Sequence, residues 1–169
     1  LLGLPERHAD IAEGIPEAYI AKVQSMKLFN RNLPDSFWFA FIKMCERLGT
    51  PPQNVAKVIR NESKFDPKAV NYQTVNGKKK PIAKGLNQII KGIGTKIGMP
   101  PGMWDNFENM TAEQQLPWVE KSFRAGNIKG NMSATDIYAR NFGGFPNPDG
   151  SMYASKAYID KHPQKDKFQ

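Results

Sequence analysis

Residues 55–67 read VAKVIRNESKFDP, and after a polar span residues 85–89 read GLNQI. The apolar residues of the first segment recur at helical spacing until Pro67, which predicts a helix that ends close to Glu62. A carboxyl group at the end of a buried helix, facing a cleft, is where desolvation raises a pKa enough for acid catalysis. Taken alone, Glu62 has a second interpretation, a solvated surface group at a helix terminus.

Two motifs in this stretch follow each other in the order found in one known family. Residues 62–69 read ESKFDPKA, and GLNQI follows some sixteen residues later. The chain thereby resembles the soluble lytic transglycosylase and goose-type lysozyme family, which more often carries Met where this chain has Asn87. The resemblance implies a mainly α, lysozyme-like fold with one small β-hairpin beside the active-site cleft.

The resemblance also implies the roles of individual residues. Glu62 would be the catalytic residue, with Ser63 holding it by a hydrogen bond, while Asn87 and Gln88 would position an N-acetyl sugar. Cleavage of a glycosidic bond usually takes two carboxylates, and only Glu62 is supported by a motif here. In this family one Glu first protonates the leaving oxygen and then helps the C6 hydroxyl of the sugar close a 1,6-anhydro ring. The implied reaction is cleavage of the MurNAc-GlcNAc β-1,4 bond of peptidoglycan by a lytic transglycosylase, and a hydrolysing lysozyme of the same fold is the alternative.

A third resemblance lies further along the chain. Residues 113–119 and 136–143 are similar to the last two core helices of phage-borne lysozyme-like domains. Many transglycosylases carry Ala-Tyr-Asn-Ala-Gly here, with the Tyr supporting the catalytic Glu. If Asn141 and Phe142 align with the Tyr-Asn pair, that Tyr is replaced and Tyr138 lies one turn earlier. Tyr138, Asn141 and Phe142 join the predicted substrate-binding set, and the residue that supports Glu62 is left open.

Length and charge limit the possible partners. The chain has 169 residues, enough for one domain with a buried core, and a net charge of +8. A basic surface favours nucleic acid, anionic membranes or the acidic polymers of a bacterial envelope. Apart from Lys78–Lys80 the basic residues are scattered and no nucleic-acid motif is present, so we predict no nucleic-acid partner. No apolar run reaches about eighteen residues, and we predict no membrane span.

Cofactor and metal chemistry find no support in the sequence. Cys45 is the only cysteine, which excludes a disulfide within this chain and a cysteine-based zinc site. It lies in an apolar segment with the helical pattern of a small core residue. His8 and His162 lie near the two ends of the sequence without the spacing of a metal motif. We therefore predict neither a cofactor nor a metal site.

Periodicity and turn signals predict the other elements. A helix over 16–29 has a modest apolar stripe, and a strongly apolar helix over 37–48 follows. Asn76-Gly77 within an alternating segment predicts a hairpin with a type I′ turn, the expected small hairpin of the fold. A helix from Gly85 to about Gly98 comes next. Capped starts at 111 and 133 predict helices to about 125 and 142, and a short last helix is expected over 151–159.

Two tryptophans and the domain division complete the structural expectations. Trp38, at helical spacing among phenylalanines, is predicted to be core. Trp104 either packs a loop against the core or stacks, exposed, on a sugar. We divide the chain into an N-terminal arm or lead helix (residues 1–30) and a lysozyme-like transglycosylase domain (residues 31–169).

The sequence allows three functional classes. The first is the peptidoglycan-cleaving enzyme, expected in a phage virion or tail, in contact with other virion proteins and acting on the bacterial cell wall. The second is a non-catalytic tail or glycan-binding module, indicated if Glu62 is exposed or if no cleft joins it to Gln88. The third, a basic nucleic-acid-binding domain, requires a continuous basic face with aromatic residues between the charges. The absence of an initiator Met predicts a fragment or a processed product, and the absence of a signal peptide favours the virion location.

Overall fold

The computed structural model describes residues 14–142. The helices are α1 (Glu17–Met26), α2 (Asp35–Leu48), α3 (Pro52–Ser63), α4 (Lys91–Lys96), α5 (Ala112–Ala125) and α6 (Ala134–Phe142). Strands β1 (Val70–Val75) and β2 (Lys78–Lys84) form one antiparallel hairpin, and 3₁₀ segments cover Lys27–Phe29 and Trp104–Asn109. The predicted mainly α fold with one small hairpin is confirmed. The short helix predicted over 151–159 lies outside the described residues.

Helix α2 is the centre of the hydrophobic core. It begins at Asp35, whose carboxylate forms an ion pair with Lys27 at 2.6 Å, and it ends at Gly49 in the left-handed conformation. Its apolar face is buried against α1, α3 and α5. Trp38 is fully buried there, which confirms its predicted role in the core. Cys45 is buried as predicted, and burial raises the pKa of its thiol far above the ordinary range.

Phe65 connects the core to the end of α3. Its ring is fully buried and lies 4.8 Å from the Trp38 ring, measured between centroids, with the Phe37 and Phe41 rings close by. Such aromatic contacts contribute about 0.5–1.5 kcal/mol each beyond the buried area. Burial of the Phe65 ring in the core therefore fixes the backbone that follows Glu62.

The hairpin has the predicted turn. Asn76 and Gly77 have φ values of 52° and 76°, the pair of positive values that a type I′ turn requires. Gln73 lies opposite Lys80, and Val75 lies opposite Lys78, with a bulge near Asn71. At its base, Lys84 is buried and forms a 2.6 Å ion pair with Glu108. The hairpin is therefore anchored at one end and exposed along the rest of its length.

The helix predicted from Gly85 to Gly98 is wrong in its first part. Residues 85–89 form a turn, with positive φ at Gly85 (81°) and Gln88 (57°), and only Lys91–Lys96 is helical. The amide of Leu86 donates to the Gln115 side chain at 3.0 Å. In a helix beginning at Gly85 this amide would have no partner within the helix, so it is the left-handed backbone at Gly85 and Gln88 that excludes a helix here.

Trp104 packs into the protein. It is 7% exposed, and its indole N–H donates to the carbonyl of Ile89 at 2.8 Å. The prediction that it packs a loop against the core is confirmed, and the alternative of an exposed stacking platform is wrong.

The described helices also bear on two expectations made from the whole sequence. None of those between residues 14 and 142 is long and apolar enough to cross a bilayer. Val23 and Met26 of α1 belong to the same core cluster as the phenylalanines of α2. The division of the chain at residue 30 stays a prediction.

Candidate active site

Glu62 occupies the next-to-last position of α3 and is partly buried. The helix ends because Lys64 and Phe65 both adopt the left-handed conformation, with φ of 56° and 60°. This conformation costs a non-glycine residue roughly 1–2 kcal/mol, and the burial of Phe65 in the core opposes that cost. Strained backbone of this kind is concentrated at functional sites, and here it sets the position of a carboxylate.

Ser63 joins α3 to the turn of residues 85–89. Its buried hydroxyl donates to the carbonyl of Leu86 at 2.7 Å and lies 3.3 Å from the carbonyl of Ile59. The two sequence motifs therefore meet directly, so that Glu62 and Asn87 each lie one residue from this hydrogen bond. The predicted hydrogen bond between Ser63 and Glu62 stays a prediction.

Gln88 is held by its amide nitrogen. The Nε2 group donates to the carbonyl of Gly85 at 2.8 Å and to that of Ala69 at 3.2 Å. The Oε1 atom is buried and accepts no hydrogen bond within the described part of the chain. A buried acceptor without a partner costs about 1–3 kcal/mol.

Asn87 is 1% exposed and lies in a second amide cluster. Its Nδ2 group donates to the hydroxyl of Ser122 at 2.7 Å and to Oδ1 of Asn141 at 3.2 Å. In return Asn141 donates to the backbone carbonyl of Asn87 at 3.0 Å. The Oδ1 atom of Asn87 is a second buried acceptor that has no partner among the described residues. Asn87, at the centre of this polar cluster, occupies the position where the related family more often carries Met.

Tyr138 lies one helical turn before Asn141 and is buried. Burial raises the pKa of its phenol, and the negative charge of Glu62 raises it further. The helices that carry the two residues, α3 and α6, pack against each other. Helix α6 therefore brings Tyr138 to Glu62 and, one turn later, Asn141 to Asn87. Which residue supports Glu62 stays open, and Tyr138 is a candidate.

A cavity of about 320 Å³ opens beside the amide cluster. It is lined by Asn71, Ile82, Ala83, Asn87, Gln88, Ile89, Ile90, Ile93, Ser122, Gly126, Arg140 and Asn141. The base of the hairpin forms one wall of this cavity. Glu62 is not among the lining residues, and its neighbour Ser63 bonds to the turn that carries Asn87 and Gln88. Phe142 is the last described residue, and its predicted contact with substrate stays a prediction.

Gln115 is a site residue that the sequence analysis missed. It is fully buried, its Oε1 accepts from the amide of Leu86, and its Nε2 donates to the carbonyls of Pro67 at 2.8 Å and Phe107 at 3.0 Å. One side chain thus holds both motif segments. The signal was present, since Gln115 is a polar residue on the apolar face that Ala112, Leu116 and Val119 define. Ser122 was missed because nothing in its local pattern separates it from a surface serine.

The fold and the site together define a class of protein. A mainly α domain with a hairpin wall, a partly buried carboxylate beside a phenol, and amide acceptors at a cavity are features of lysozyme-like, glycan-cleaving enzymes. Residues 39–127, more than half of the chain, match the transglycosylase SLT domain. The chain belongs to this family of lytic transglycosylases, which are enzymes that degrade peptidoglycan. Searches of curated proteins and of solved structures returned no match.

Proposed function

We propose that this protein cleaves the MurNAc-GlcNAc β-1,4 bond of peptidoglycan with Glu62 as its single catalytic carboxylate. The observation that carries the proposal is the position of Glu62, partly buried at a strained helix end and electrostatically coupled to the buried phenol of Tyr138. Asp66, the other carboxylate of the first motif, is exposed. A single carboxylate suffices when the substrate supplies the second nucleophile.

The proposed reaction has two steps. Glu62, protonated, first transfers its proton to the glycosidic oxygen, and the C1–O bond breaks with its electron pair moving to that oxygen. The resulting carboxylate of Glu62 then removes the proton of the C6 hydroxyl of the MurNAc residue, whose C1–O bond has broken. The C6 oxygen bonds to C1 and closes a 1,6-anhydro ring, which returns Glu62 to its protonated form. Tyr138 keeps its proton throughout, since both influences on its pKa favour the neutral phenol.

The amide cluster supports an N-acetylated substrate. Asn87 and Gln88 each present a buried oxygen without a partner among the described residues. An acetamido N–H or a sugar hydroxyl supplies the missing donor. Because the remaining amide atoms already have partners within the protein, both oxygens are oriented before substrate arrives. Asn141 holds Asn87, and Ser63 holds the turn on which both residues lie.

The test compares three proteins on purified peptidoglycan: the parent, Glu62→Gln, and Glu113→Gln as a control for an exposed glutamate on α5. We expect loss of a general acid to lower the rate by about 10²–10⁴-fold, while the control keeps the parent rate. Mass spectrometry of the released muropeptides identifies the products. Anhydro ends made by the parent support the proposal, and reducing ends make the protein a lysozyme. Absence of release by the parent contradicts the proposal and favours the non-catalytic glycan-binding module.

We also propose that the protein acts from a phage particle, as a virion or tail component that opens the cell wall. The similarity of residues 113–119 and 136–143 to phage-borne domains supports this location, and the net charge of +8 suits approach to an anionic wall. Proteomic analysis of purified particles is the test. Detection of the chain in stoichiometric amount supports the location, and its absence from particles contradicts it.

A further inference from the structure

The outer part of the hairpin is exposed and carries three consecutive lysines. Lys78, Lys79 and Lys80 follow directly on the turn, and every residue from 71 to 82 is exposed. A short ribbon of this kind has two faces, because successive side chains of a strand point to opposite sides. The three lysines are therefore divided between the faces, and the register shows how.

One face of the ribbon is continuous with the cavity. Asn71 lies opposite Ala83, and both line the cavity together with Ile82. The bulge leaves Ile82 as an extra residue of β2, so β1 itself alternates without interruption and carries the same face through Gln73 and Val75. Their directly opposed partners are Lys80 and Lys78. These two lysines therefore lie on the cavity side of the hairpin.

The other face carries the remaining lysine. Tyr72 lies opposite Pro81, and Thr74 lies opposite Lys79. Lys79 thus points away from the cavity, although it has the same charge and comparable exposure. Lys79 is therefore a matched control for any role of positive charge on the cavity side of the hairpin.

The positions of the two cavity-side lysines suit a ligand that extends beyond the cavity. At about 3.3 Å per residue, Lys80 and Lys78 follow Ile82 at about 7 and 13 Å along the strand. Neither lysine forms an ion pair with any residue between 14 and 142, whereas Lys84 at the base of the same strand is paired with Glu108. Two ammonium groups are thereby available to anions on a chain that leaves the cavity along the hairpin.

We propose that Lys78 and Lys80 bind the carboxylates of the stem peptides on a peptidoglycan strand whose sugars occupy the cavity. The inference rests on the proposed function and adds a preference for peptide-bearing glycan over bare glycan. A nucleic acid is the less suitable partner, because it needs aromatic residues among the charges. On the cavity side Lys78 and Lys80 are accompanied by Gln73 and Val75, and Tyr72 lies on the other face.

The test uses soluble glycan strands prepared with stem peptides and the same strands stripped of peptides by an amidase. Lys80→Gln and Lys79→Gln remove the same charge from opposite faces, and Lys78→Gln/Lys80→Gln removes both cavity-side charges. An exposed ion pair of about 0.2–1 kcal/mol corresponds to about a 1.4- to 5-fold effect. On peptide-bearing strands we expect KM to rise about threefold for Lys80→Gln and about tenfold for the double variant, with kcat unchanged.

Three results decide the matter. The proposal is supported if Lys79→Gln leaves KM unchanged and if stripped strands abolish the difference between variants. It is overturned if Lys79→Gln and Lys80→Gln raise KM equally, or if the effect of Lys80→Gln persists on stripped strands. It is also overturned if a single-stranded oligonucleotide displaces the peptide-bearing strands at equal charge.

A binding measurement separates this inference from the proposed function. The same lysine substitutions are made in Glu62→Gln, and dissociation constants for both kinds of strand are measured. If the parent cleaves nothing, the proposed function fails, yet the ratio between the Lys80→Gln and Lys79→Gln constants still tests the hairpin. Equal constants reject the role of the cavity-side lysines even in an active enzyme.

Discussion

Glu62 and Tyr138 are distant in sequence and become neighbours through the packing of α3 against α6. The negative charge of Glu62 makes ionisation of the Tyr138 phenol less favourable. At the pH values where the enzyme works the phenol is neutral, so Tyr138 can donate to the carboxylate without opposing its charge. This arrangement suits a proposed role of Tyr138 in holding the carboxyl group of Glu62 in position.

Glu62→Gln is expected to lower the pKa of Tyr138 toward its ordinary value. The substitution removes the negative charge, while the burial that contributes most of the shift is unchanged. Titration of ring-labelled tyrosine by NMR measures the change, and the exposed Tyr72 serves as an internal reference. An unchanged titration of Tyr138 would show that the two residues are not coupled. The measurement is independent of activity.

Gly85→Ala is expected to destabilise the fold by about 3 kcal/mol, from a left-handed backbone and a steric clash together. Gly85 has φ of 81°, and a Cβ atom there would lie 2.5 Å from the Phe107 ring and 2.7 Å from Oε1 of Gln115. Gly98 is the matched control, because it has φ of 88° and nothing within 4 Å of its Cβ position. Urea unfolding should give Gly98→Ala only the conformational part of the loss. Equal losses for both variants would contradict the steric explanation.

The contacts of α5 organise the loops around the site. Its buried Gln115 reaches three backbone segments, and its partly buried Glu120 forms ion pairs with Arg47 on α2 and Arg124 one turn later. The first set of contacts positions the turn that carries Asn87 and Gln88. The second joins α5 to the central helix.

Gln115→Leu is expected to cost about 3 kcal/mol of unfolding free energy, because buried groups on three segments lose partners worth about 1–3 kcal/mol each. Leucine has a similar volume, so the loss comes from hydrogen bonding rather than from a cavity. Gln53→Leu, at an exposed position of α3, is the control. Urea unfolding measures both. A stable Gln115→Leu protein would mean that water takes over the hydrogen bonds of the three segments.

Glu120→Gln is expected to remove a pH-dependent part of the stability. Burial raises the pKa of Glu120, but the hydrogen bonds and charges of Arg47 and Arg124 outweigh it, so that the folded-state pKa lies below the ordinary value. A lowered folded-state pKa stabilises the fold above the unfolded pKa of about 4.3, and this stabilisation is lost as pH falls through the folded-state pKa.

The difference in unfolding free energy between the parent and Glu120→Gln should therefore be largest near neutral pH. It should shrink as the pH is lowered to about 2.5, measured by urea unfolding. Glu113→Gln controls for the loss of an exposed charge from the same helix. A difference that is constant over this range would show that the ion pairs with Glu120 contribute nothing.

One hydrophobic cluster joins α1 to the end of α3 that carries Glu62. Val23 and Met26 pack into the cluster that contains Trp38 and Phe65, and Phe65 holds the chain next to Glu62. Loss of packing at α1 is therefore transmitted to the whole cluster rather than confined to the N-terminal helix.

Val23→Ala is expected to lower the unfolding free energy by about 2 kcal/mol, through lost burial and a residual cavity. Leu28→Ala, at a side chain that is 69% exposed, should have almost no effect. Far-UV circular dichroism and the reactivity of the buried Cys45 thiol should report the same urea midpoint, because one core unfolds cooperatively. Separate midpoints would show that α1 is an independent arm.

Short-range chemistry predicted most of the secondary structure. The apolar repeat and Gly49 placed α2, the Thr111 capping box placed the start of α5, and Asn76-Gly77 placed the hairpin turn. It failed over residues 85–90, where the apolar spacing is helical. There the amide of Leu86 and the conformation of Gly85 are set by Gln115 and Phe107, which lie far along the chain.

The motifs predicted Glu62, Ser63, Asn87 and Gln88 as site residues, since these lie within two short segments of recognisable pattern. Periodicity, capping residues and turn residues act over a few positions, and a sequence shows them directly. The association of Asn87 with Asn141, the coupling of Glu62 to Tyr138 and the role of Gln115 were decided only by the tertiary structure. Their physical reason is that side-chain hydrogen bonds and charge interactions depend on distance in space, which the packing of α3, α5 and α6 sets.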